Sequence, residues 1–298
     1  MNILETHVVD CIHGVIPLDA YAWKIIHDPI FTRLKRIRQL VCDNVYISAT
    51  HSRYEHSIGT YFIASHWMQH LKPILITLYT PEDTEIYIRA VKIAALVHDL
   101  GHVAMSHAFD DVLANIGVYS HEIRGADMFA NIECGLSVYE VELIRSIITG
   151  QQNIEDPQFL YQIVNNKRDD LDVDKLDYLL RDSKYTNRKV TFDWKELIRT
   201  SSVSNGEICF HESALFNIYS VFQDRFNMFR HVYFNESTLK YLNSWKAVMT
   251  DWAMQNEAAV HRIFNNPMHS LMATDTWLID RLLKCIVTSE RTKVLLTG

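Results

Sequence analysis

The stretch VKIAALVHDLGHVAMSHAF, residues 91–109, places three histidines and one aspartate in an otherwise apolar segment. An apolar run such as IAALV predicts a core element, and polar groups carried into a core need partners that offset their desolvation. The helical spacing upstream predicts that His98 and Asp99 lie on a helix. Because glycine is a poor residue inside a helix and a good terminator, Gly101 is predicted to end or bend that helix.

Apolar residues recur mostly at helical spacing along the rest of the chain, and nine glycines and six prolines leave few turn markers. The prolines mark boundaries. Asp28-Pro29 predicts the start of a helix over PIFTRLKRIRQL, residues 29–40, and TPED, residues 80–83, predicts the cap of the helix that runs toward His102. VSNGEICFH, residues 203–211, predicts a β-hairpin with its turn at Asn-Gly. We therefore expect a mainly α-helical bundle with one small β-hairpin.

Composition limits the classes of function. The chain has 298 residues, is 48% hydrophobic and carries a net charge of -7, which gives no overall attraction to nucleic acid phosphates. Five scattered cysteines without a CxxC pair argue against a disulfide framework and a thiolate zinc site. No signal peptide and no run of membrane-spanning length is visible, so we expect an intracellular protein in a reducing compartment that does not enter a membrane.

The His98-Asp99 pair alone is a weak signal, and an exposed histidine beside a capping aspartate is the more common explanation for it. Two further polar clusters change this interpretation: HSRYEHSIG at residues 51–59 and DLDVDKLDYLLRD at residues 170–182. In that order the chain resembles the HD-domain metal phosphohydrolases through His56, His98, Asp99 and Asp174. Imidazoles and carboxylates suit a divalent ion, with manganese, iron, zinc or nickel as candidates and magnesium in a second position.

The resemblance extends to the deoxynucleoside triphosphate (dNTP) triphosphohydrolases that combine a sterile-alpha-motif domain with an HD domain. The matching words are IHGVIPL, DPIFTRLKRIRQL, HSRYEHSIG, HDLGHVAMSHAFD, HE at 121–122 and DVDKLDYLLRD, followed by a weaker match through VFQDRFNMFRHVY. This resemblance implies one HD domain over residues 1–298, with its motifs within about residues 10–250 and without the C-terminal lobe of longer relatives. It also implies a homo-oligomer that cleaves dNTPs to deoxynucleoside and triphosphate.

The resemblance also implies a role for each site residue. His107 matches the acid that protonates the leaving oxygen, and Asp110 lies three residues on, at a spacing that lets it hold the His107 imidazole. His102 and His121 match positions near the α-phosphate, or support the metal ligands from behind. The positions matching phosphate contacts are Arg53, Lys175 and Arg225, and those matching sugar contacts are Gln39, Leu40, Tyr178 and Asp182.

Structural interpretations of these residues stay open. His107 could simply cap the helix that begins near Ser106, the three cations could pair with nearby acids, and Tyr178 could lie on a solvated stripe. Another phosphorylated substrate, or a nucleotide sensor without turnover, would use the same fold. RLKRIR at residues 33–38 is the one candidate footprint for nucleic acid, but we favour a helix with Leu34 and Ile37 turned inward.

Overall fold

The computed structural model describes residues 6–153 and 155–286, so the two ends of the predicted 1–298 domain lie outside the described residues. The described part is mainly α-helical, as predicted. Its helices are α1 (Ala20–His27), α2 (Pro29–Thr32), α3 (Arg53–Leu78), α4 (Pro81–Val97), α5 (His107–Asn115), α6 (His121–Phe129), α7 (Val138–Thr149), α8 (Gln158–Val164), α9 (Val173–Tyr185), α10 (Trp194–Arg199), α11 (Leu215–Met228), α12 (Glu236–Gln255), α13 (Glu257–Phe264) and α14 (Asp275–Ile286). Short 3₁₀ turns span Arg33–Arg36, Glu212–Ala214 and His269–Met272, and a π-helical segment spans Phe229–Tyr233.

Two antiparallel hairpins accompany the helices, where the sequence predicted one. The predicted hairpin is present as β3 (Ser201–Ser204) and β4 (Glu207–Phe210). Asn205 and Gly206 have φ values of +51° and +77°, as a tight two-residue turn requires. The second hairpin joins β1 (Thr6–Asp10) to β2 (Gly14–Leu18). This hairpin was not predicted from the sequence, because its alternating pattern is short.

The helix predicted over residues 29–40 is wrong beyond its first turn. Asp28 caps α2 by accepting from the backbone of Ile30, but α2 ends at Thr32 and a 3₁₀ turn follows. The chain then extends at Ile37 (φ -124°, ψ 113°), because residues 37–39 form backbone hydrogen bonds with residues 51–53. This pairing brings Gln39 beside the start of α3.

The helix predicted to run toward His102 ends at Val97. Its N-terminus is as predicted, with Thr80 accepting from the backbone of Asp83. His98 keeps helical dihedral angles as the C-cap, and Asp99 lies in the turn that follows, so the placement of both residues on the helix itself is wrong. Two tight backbone bonds, Leu100 N to Val97 O and His102 N to Asp99 O, form this turn.

Two hydrophobic cores meet at this turn. The larger core surrounds α3 and α4 and includes Leu100, whereas the smaller core begins at Val103 and packs α5 against α12, α13 and α14. The polar residues of the 98–107 segment therefore lie where the two cores join. None of the described helices combines the length and apolar composition that crossing a bilayer requires.

Candidate metal centre and active site

Three elements bring the predicted metal ligands together. His56 comes from the first turn of α3, His98 and Asp99 from the turn that follows α4, and Asp174 from the first turn of α9. Donor atoms of His56, His98 and Asp99 all lie within 4.8 Å of one another. Asp174 Oδ1 lies 3.0 Å from His56 Nε2 and 3.5 Å from His98 Nε2. All four predicted ligands thus converge on one point.

Both imidazoles are oriented as metal ligands require. His98 Nδ1 is 2.8 Å from the carbonyl oxygen of Ala95, and its buried Nε2 has no hydrogen-bond partner among the described residues. His56 Nδ1 is 2.8 Å from Asp177 Oδ2, which directs its Nε2 toward Asp99 and Asp174. A buried nitrogen without a partner beside two carboxylates fits a divalent ion. The residues present therefore fit a metal ion.

The charges in this cluster are strongly coupled. Burial alone would lower the pKa of His56, but hydrogen bonds to Asp174 and Asp177 and the charge of Asp99 outweigh it and raise the pKa to about 10. Burial alone would raise the pKa of Asp99, but Arg53 and the neighbouring histidines hold it well below its usual range. The carboxylates are therefore ionised at neutral pH, as metal ligands must be.

A second polar cluster lies next to the first and contains His102, His107, Asp110 and His121, with donor atoms within 4.8 Å of one another. His102 Nε2 is 3.2 Å from Asp99 Oδ1, so Asp99 connects the two clusters. The His121 ring stacks on His102 with centroids 4.0 Å apart. Sequence analysis placed these residues at one site, and the structure brings them together.

Asp110 does not hold His107, contrary to the sequence prediction. Among the described residues its carboxylate bonds with His102 Nδ1 at 2.7 Å and with Arg124. The expected pairing fails because the i, i+3 spacing only brings the two side chains within reach, and the buried His102 lies closer. Asp110 therefore orients His102.

His107 begins α5 and its side chain is exposed toward the cavity described below. The preceding Ser106 has φ +49°, an unfavourable conformation for a residue with a side chain, and it is held by hydrogen bonds to Arg53 and to the carbonyl oxygen of Arg38. Partial burial, with the charges of His102 and Arg53, lowers the pKa of His107. In the free protein the imidazole is therefore neutral at pH 7.

One cavity of about 410 Å³ opens onto both clusters. That volume lies in the range of small-molecule sites. Most of the predicted site residues line it: Gln39, Leu40, Arg53, His98, Asp99, His107, His121, Asp174, Lys175, Tyr178 and Asp182. His56, His102, Asp110 and Arg225 lie outside its lining. The first three lie directly behind lining residues, and Arg225 is joined to the lining residue Lys175 through Asp170.

The three predicted phosphate-binding cations already have carboxylate partners. Arg53 Nη1 is 2.6 Å from Asp99 Oδ2. Asp170 joins the other two, with Oδ1 3.2 Å from Lys175 Nζ and Oδ2 2.8 Å from Arg225 Nη1. In the free protein these three cations therefore pair with nearby acids, which is the structural alternative to phosphate binding.

The residues matching sugar contacts lie along one face of α9 and on the segment before α3. Asp182 accepts from His51 Nε2 and from the Tyr233 hydroxyl, each at 2.7 Å. Gln39 Oε1 is buried and has no hydrogen-bond partner among the described residues. A buried acceptor beside a cavity is free to bind a ligand donor.

The RLKRIR segment does not form a continuous basic surface. Arg33 is buried and donates to the carbonyl oxygen of Leu100, while Leu34 and Ile37 are fully buried. Arg38 pairs with Asp43. These contacts support the structural interpretation of the segment.

Asp177 and His13 are not among the site residues predicted from the sequence. Asp177 is fully buried and contacts His56, Arg181 and His13. Both residues lie in words that carried the resemblance, IHGVIPL and DVDKLDYLLRD, but nothing in their spacing links positions 164 residues apart. The available signal was that each is a polar residue inside a motif that carried the resemblance.

Comparison with known proteins agrees with this geometry. Residues 53–182, which contain all four converging ligands, match the family model for the HD domain. This chain is an HD-domain protein. HD domains bind a divalent metal ion, and the cluster formed by His56, His98, Asp99 and Asp174 fits that property.

The HD-domain chain is similar to several curated proteins. It is 35% identical over 233 residues to the deoxynucleoside triphosphate triphosphohydrolase SAMHD1 homolog of Dictyostelium discoideum, a match covering 75% of this chain and 45% of that protein. It is 33% identical to an HD domain-containing protein of Acanthamoeba polyphaga mimivirus (78% and 54% covered) and 33% identical to human deoxynucleoside triphosphate triphosphohydrolase SAMHD1 (75% and 41% covered). The chain spans about half the length of these relatives.

Proposed function

We propose that this HD-domain protein is a metal-dependent hydrolase that cleaves a dNTP between the 5′-oxygen and the α-phosphorus, releasing deoxynucleoside and triphosphate. The observation that carries the proposal is the single cavity onto which the ligand cluster, His107 and Lys175 all open. The names of the relatives, which include dNTP triphosphohydrolases, agree with it.

The charge of the cavity supports metal dependence. Its described acidic lining residues outnumber its lysine and arginine residues: Asp99, Glu122, Asp172, Asp174 and Asp182 against Arg53 and Lys175. A polyanionic nucleotide would be repelled by this wall without a further cation. A divalent ion bound at the cluster would supply that charge and activate water as a Lewis acid. We expect manganese, iron, zinc, nickel or magnesium to fill this role.

His107 is the proposed proton donor. The departing 5′-oxygen must be protonated as it leaves. His107 is neutral in the free protein, but the negative charge of a bound triphosphate favours its protonated form. The His107 ring packs against the rings of His102 and His121, with centroids 4.7 Å and 5.4 Å away. These contacts fix the position of the imidazole that would hold the proton.

Arg53 and Lys175 are proposed to bind phosphates, and Arg225 becomes available once a phosphate replaces Asp170. We propose that Tyr178 packs against the deoxyribose 2′ carbon, where a ribose hydroxyl would be excluded by contact and by desolvation. Gln39, Leu40 and Asp182 are the proposed remaining sugar contacts.

We further propose that the chain acts as one domain and forms a homo-oligomer. Cavity residues outside the matched range 53–182, such as Gln39, Phe229, Tyr233 and Leu242, support the first statement. The second depends on the resemblance to longer relatives.

The test is to incubate metal-stripped protein with Mn²⁺ and each of the four dNTPs and to separate the products by anion exchange. We expect deoxynucleoside and intact triphosphate, with Asp99→Ala inactive. Orthophosphate release would indicate a different phosphorylated substrate. Nucleotide binding without any product would indicate a sensor and contradict the proposed function.

A further inference from the structure

The tip of the first hairpin reaches the metal centre, although sequence analysis gave it no role. His13 lies in the turn between β1 and β2, and its side chain is 1% exposed. His13 Nε2 is 2.6 Å from Asp177 Oδ1, and the other carboxylate oxygen, Oδ2, is 2.8 Å from His56 Nδ1. One buried carboxylate therefore joins the hairpin to a metal ligand.

Asp177 is fixed from several sides. Arg181 donates from Nε to Oδ2 at 2.9 Å and from Nη2 to Oδ1 at 3.1 Å. The hairpin also holds Arg181, because Asp10 Oδ2 accepts from Arg181 Nη1 at 2.8 Å. Asp10 Oδ1 in turn accepts from the backbone nitrogens of Ile12 and His13, each at 2.9 Å. The hairpin turn thus contacts Asp177 directly through His13 and indirectly through Arg181.

Helix α3 leaves no room for Asp177 to move away. A Cβ atom at Gly59 would lie 1.9 Å from Asp177 Oδ1 and 2.5 Å from Arg181 Nη2. Gly59 is one turn after His56 on the same helix. Helix α3 therefore supplies a metal ligand and also closes one side of the pocket that holds Asp177.

We propose that His13 is a positioning residue for the metal centre: through Asp177 it fixes the orientation of His56, so that His56 Nε2 points at Asp99 and Asp174. The inference rests on the metal site proposed above. Partners behind metal-binding histidines set the ring orientation, and their loss typically weakens metal affinity about 10–100-fold. His13 acts one contact further out, because Asp177 lies between it and the ligand.

The experiment measures Mn²⁺ affinity by titration calorimetry on metal-stripped protein. His13→Leu removes the donor to Asp177, whereas His13→Gln keeps an amide N–H at a similar distance from the backbone. We expect His13→Leu to weaken Mn²⁺ binding by about tenfold or more and His13→Gln to restore most of the affinity. The melting temperature without metal checks that each variant is folded. If His13→Leu does not fold, His13→Asn, whose shorter side chain does not reach Asp177, replaces it.

His66, which is exposed, provides a control that shares two aromatic neighbours with His13. Like His13, its ring packs against Phe62 and Trp194, with centroids 4.5 Å and 5.5 Å away, against 5.1 Å and 5.9 Å for His13. Among the described residues Asp177 bonds with His13, His56 and Arg181 and not with His66. We expect His66→Leu to leave Mn²⁺ affinity unchanged.

The outcomes separate the proposals. Equal Mn²⁺ affinity in His13→Leu and the unmodified protein would overturn the positioning role. Equal weakening in His13→Leu and His13→Gln would also overturn it, because the donor would not matter. An unmodified protein that binds no Mn²⁺ overturns the metal site and this inference together. One that binds Mn²⁺ but hydrolyses no dNTP overturns the proposed function alone, and the affinity comparison still decides the role of His13.

Discussion

Gly101→Ala tests the close packing that places His121 beside His102. A Cβ atom at Gly101 would lie 1.9 Å from the carbonyl oxygen of His121 and 2.4 Å from the backbone nitrogen of Gly125. Both are backbone atoms of the first five residues of α6, which cannot rotate away as a side chain can. Ordinary contact begins at 3.4 Å. Because the added Cβ would lie only 1.9 Å from the His121 carbonyl oxygen, the start of α6 must move away by about 1.5 Å to reach ordinary contact.

This displacement predicts two losses. Overpacking of a well-filled interior typically costs about 1–3 kcal/mol, so we expect the free energy of unfolding to fall by about that amount. His121 would also leave its stacked position on His102, where the ring centroids are 4.0 Å apart. Because a misplacement of about 1 Å can reduce a rate about 100-fold, we expect dNTP turnover to fall by about one to two orders of magnitude.

The assay combines urea unfolding with dNTP turnover under saturating Mn²⁺. Gly117→Ala is the control: its nearest neighbour, His261 Cε1, is 4.0 Å from the added Cβ, but φ is +75°. An alanine at position 117 would be strained in its backbone by about 1–2 kcal/mol. Because Gly117 does not line the cavity, this variant should lower the free energy of unfolding and leave turnover unchanged. Parental stability and turnover in Gly101→Ala would refute the reasoning. Full turnover with a stability loss like that of Gly117→Ala would refute its catalytic part.

Three further predictions follow from the described contacts. Adding Mn²⁺ to the stripped protein should raise its melting temperature, and Asp99→Ala should abolish the rise, because the ion binds only the folded cluster; a rise that persists in the variant would place the ion elsewhere. Asp170→Asn should lower KM for the nucleotide several-fold with little change in kcat, because the phosphates would no longer compete with Asp170 for Arg225, while Lys175 would keep only its bond to Asp172; an unchanged KM would show that Arg225 does not bind substrate. Burial alone would raise the pKa of Glu140, but the hydrogen bonds that its carboxylate accepts outweigh burial and lower it, so its stabilising contribution is present above about pH 4.5 and is lost as the pH falls below that value. Glu140→Gln should therefore lower the free energy of unfolding at pH 7 by about 1–2 kcal/mol, whereas at pH 3 the variant and the parent should differ less. An equal difference at both pH values would contradict this origin of the stability.

Short motifs, through their resemblance to the HD family, predicted much of the site. That resemblance implied the four ligands as a set, and most of the site residues that it implied line the cavity. Asp174, Tyr178 and Asp182, for example, lie four residues apart and share one face of α9. The Asn-Gly pair likewise required a tight turn whatever surrounded it.

Choices between partners needed the tertiary structure. Asp110 was predicted to hold His107, yet it holds His102, because helical spacing determines reach and packing determines which neighbour is nearest. The helix predicted over residues 29–40 stops at Thr32, where backbone bonds to residues 51–53 replace helical ones. Asp170 lies between two cations that the resemblance assigned to phosphates.

The sequence by itself therefore determined the mainly helical class and the Asn-Gly turn, which depend on periodicity and short spacing, and its motifs carried the resemblance that implied the HD ligand set. The tertiary structure alone decided how His13, Asp177 and His56 join across 164 residues. A buried carboxylate must find donors to offset its desolvation, and the donors it finds are those that the packing of distant elements brings within 3 Å or so.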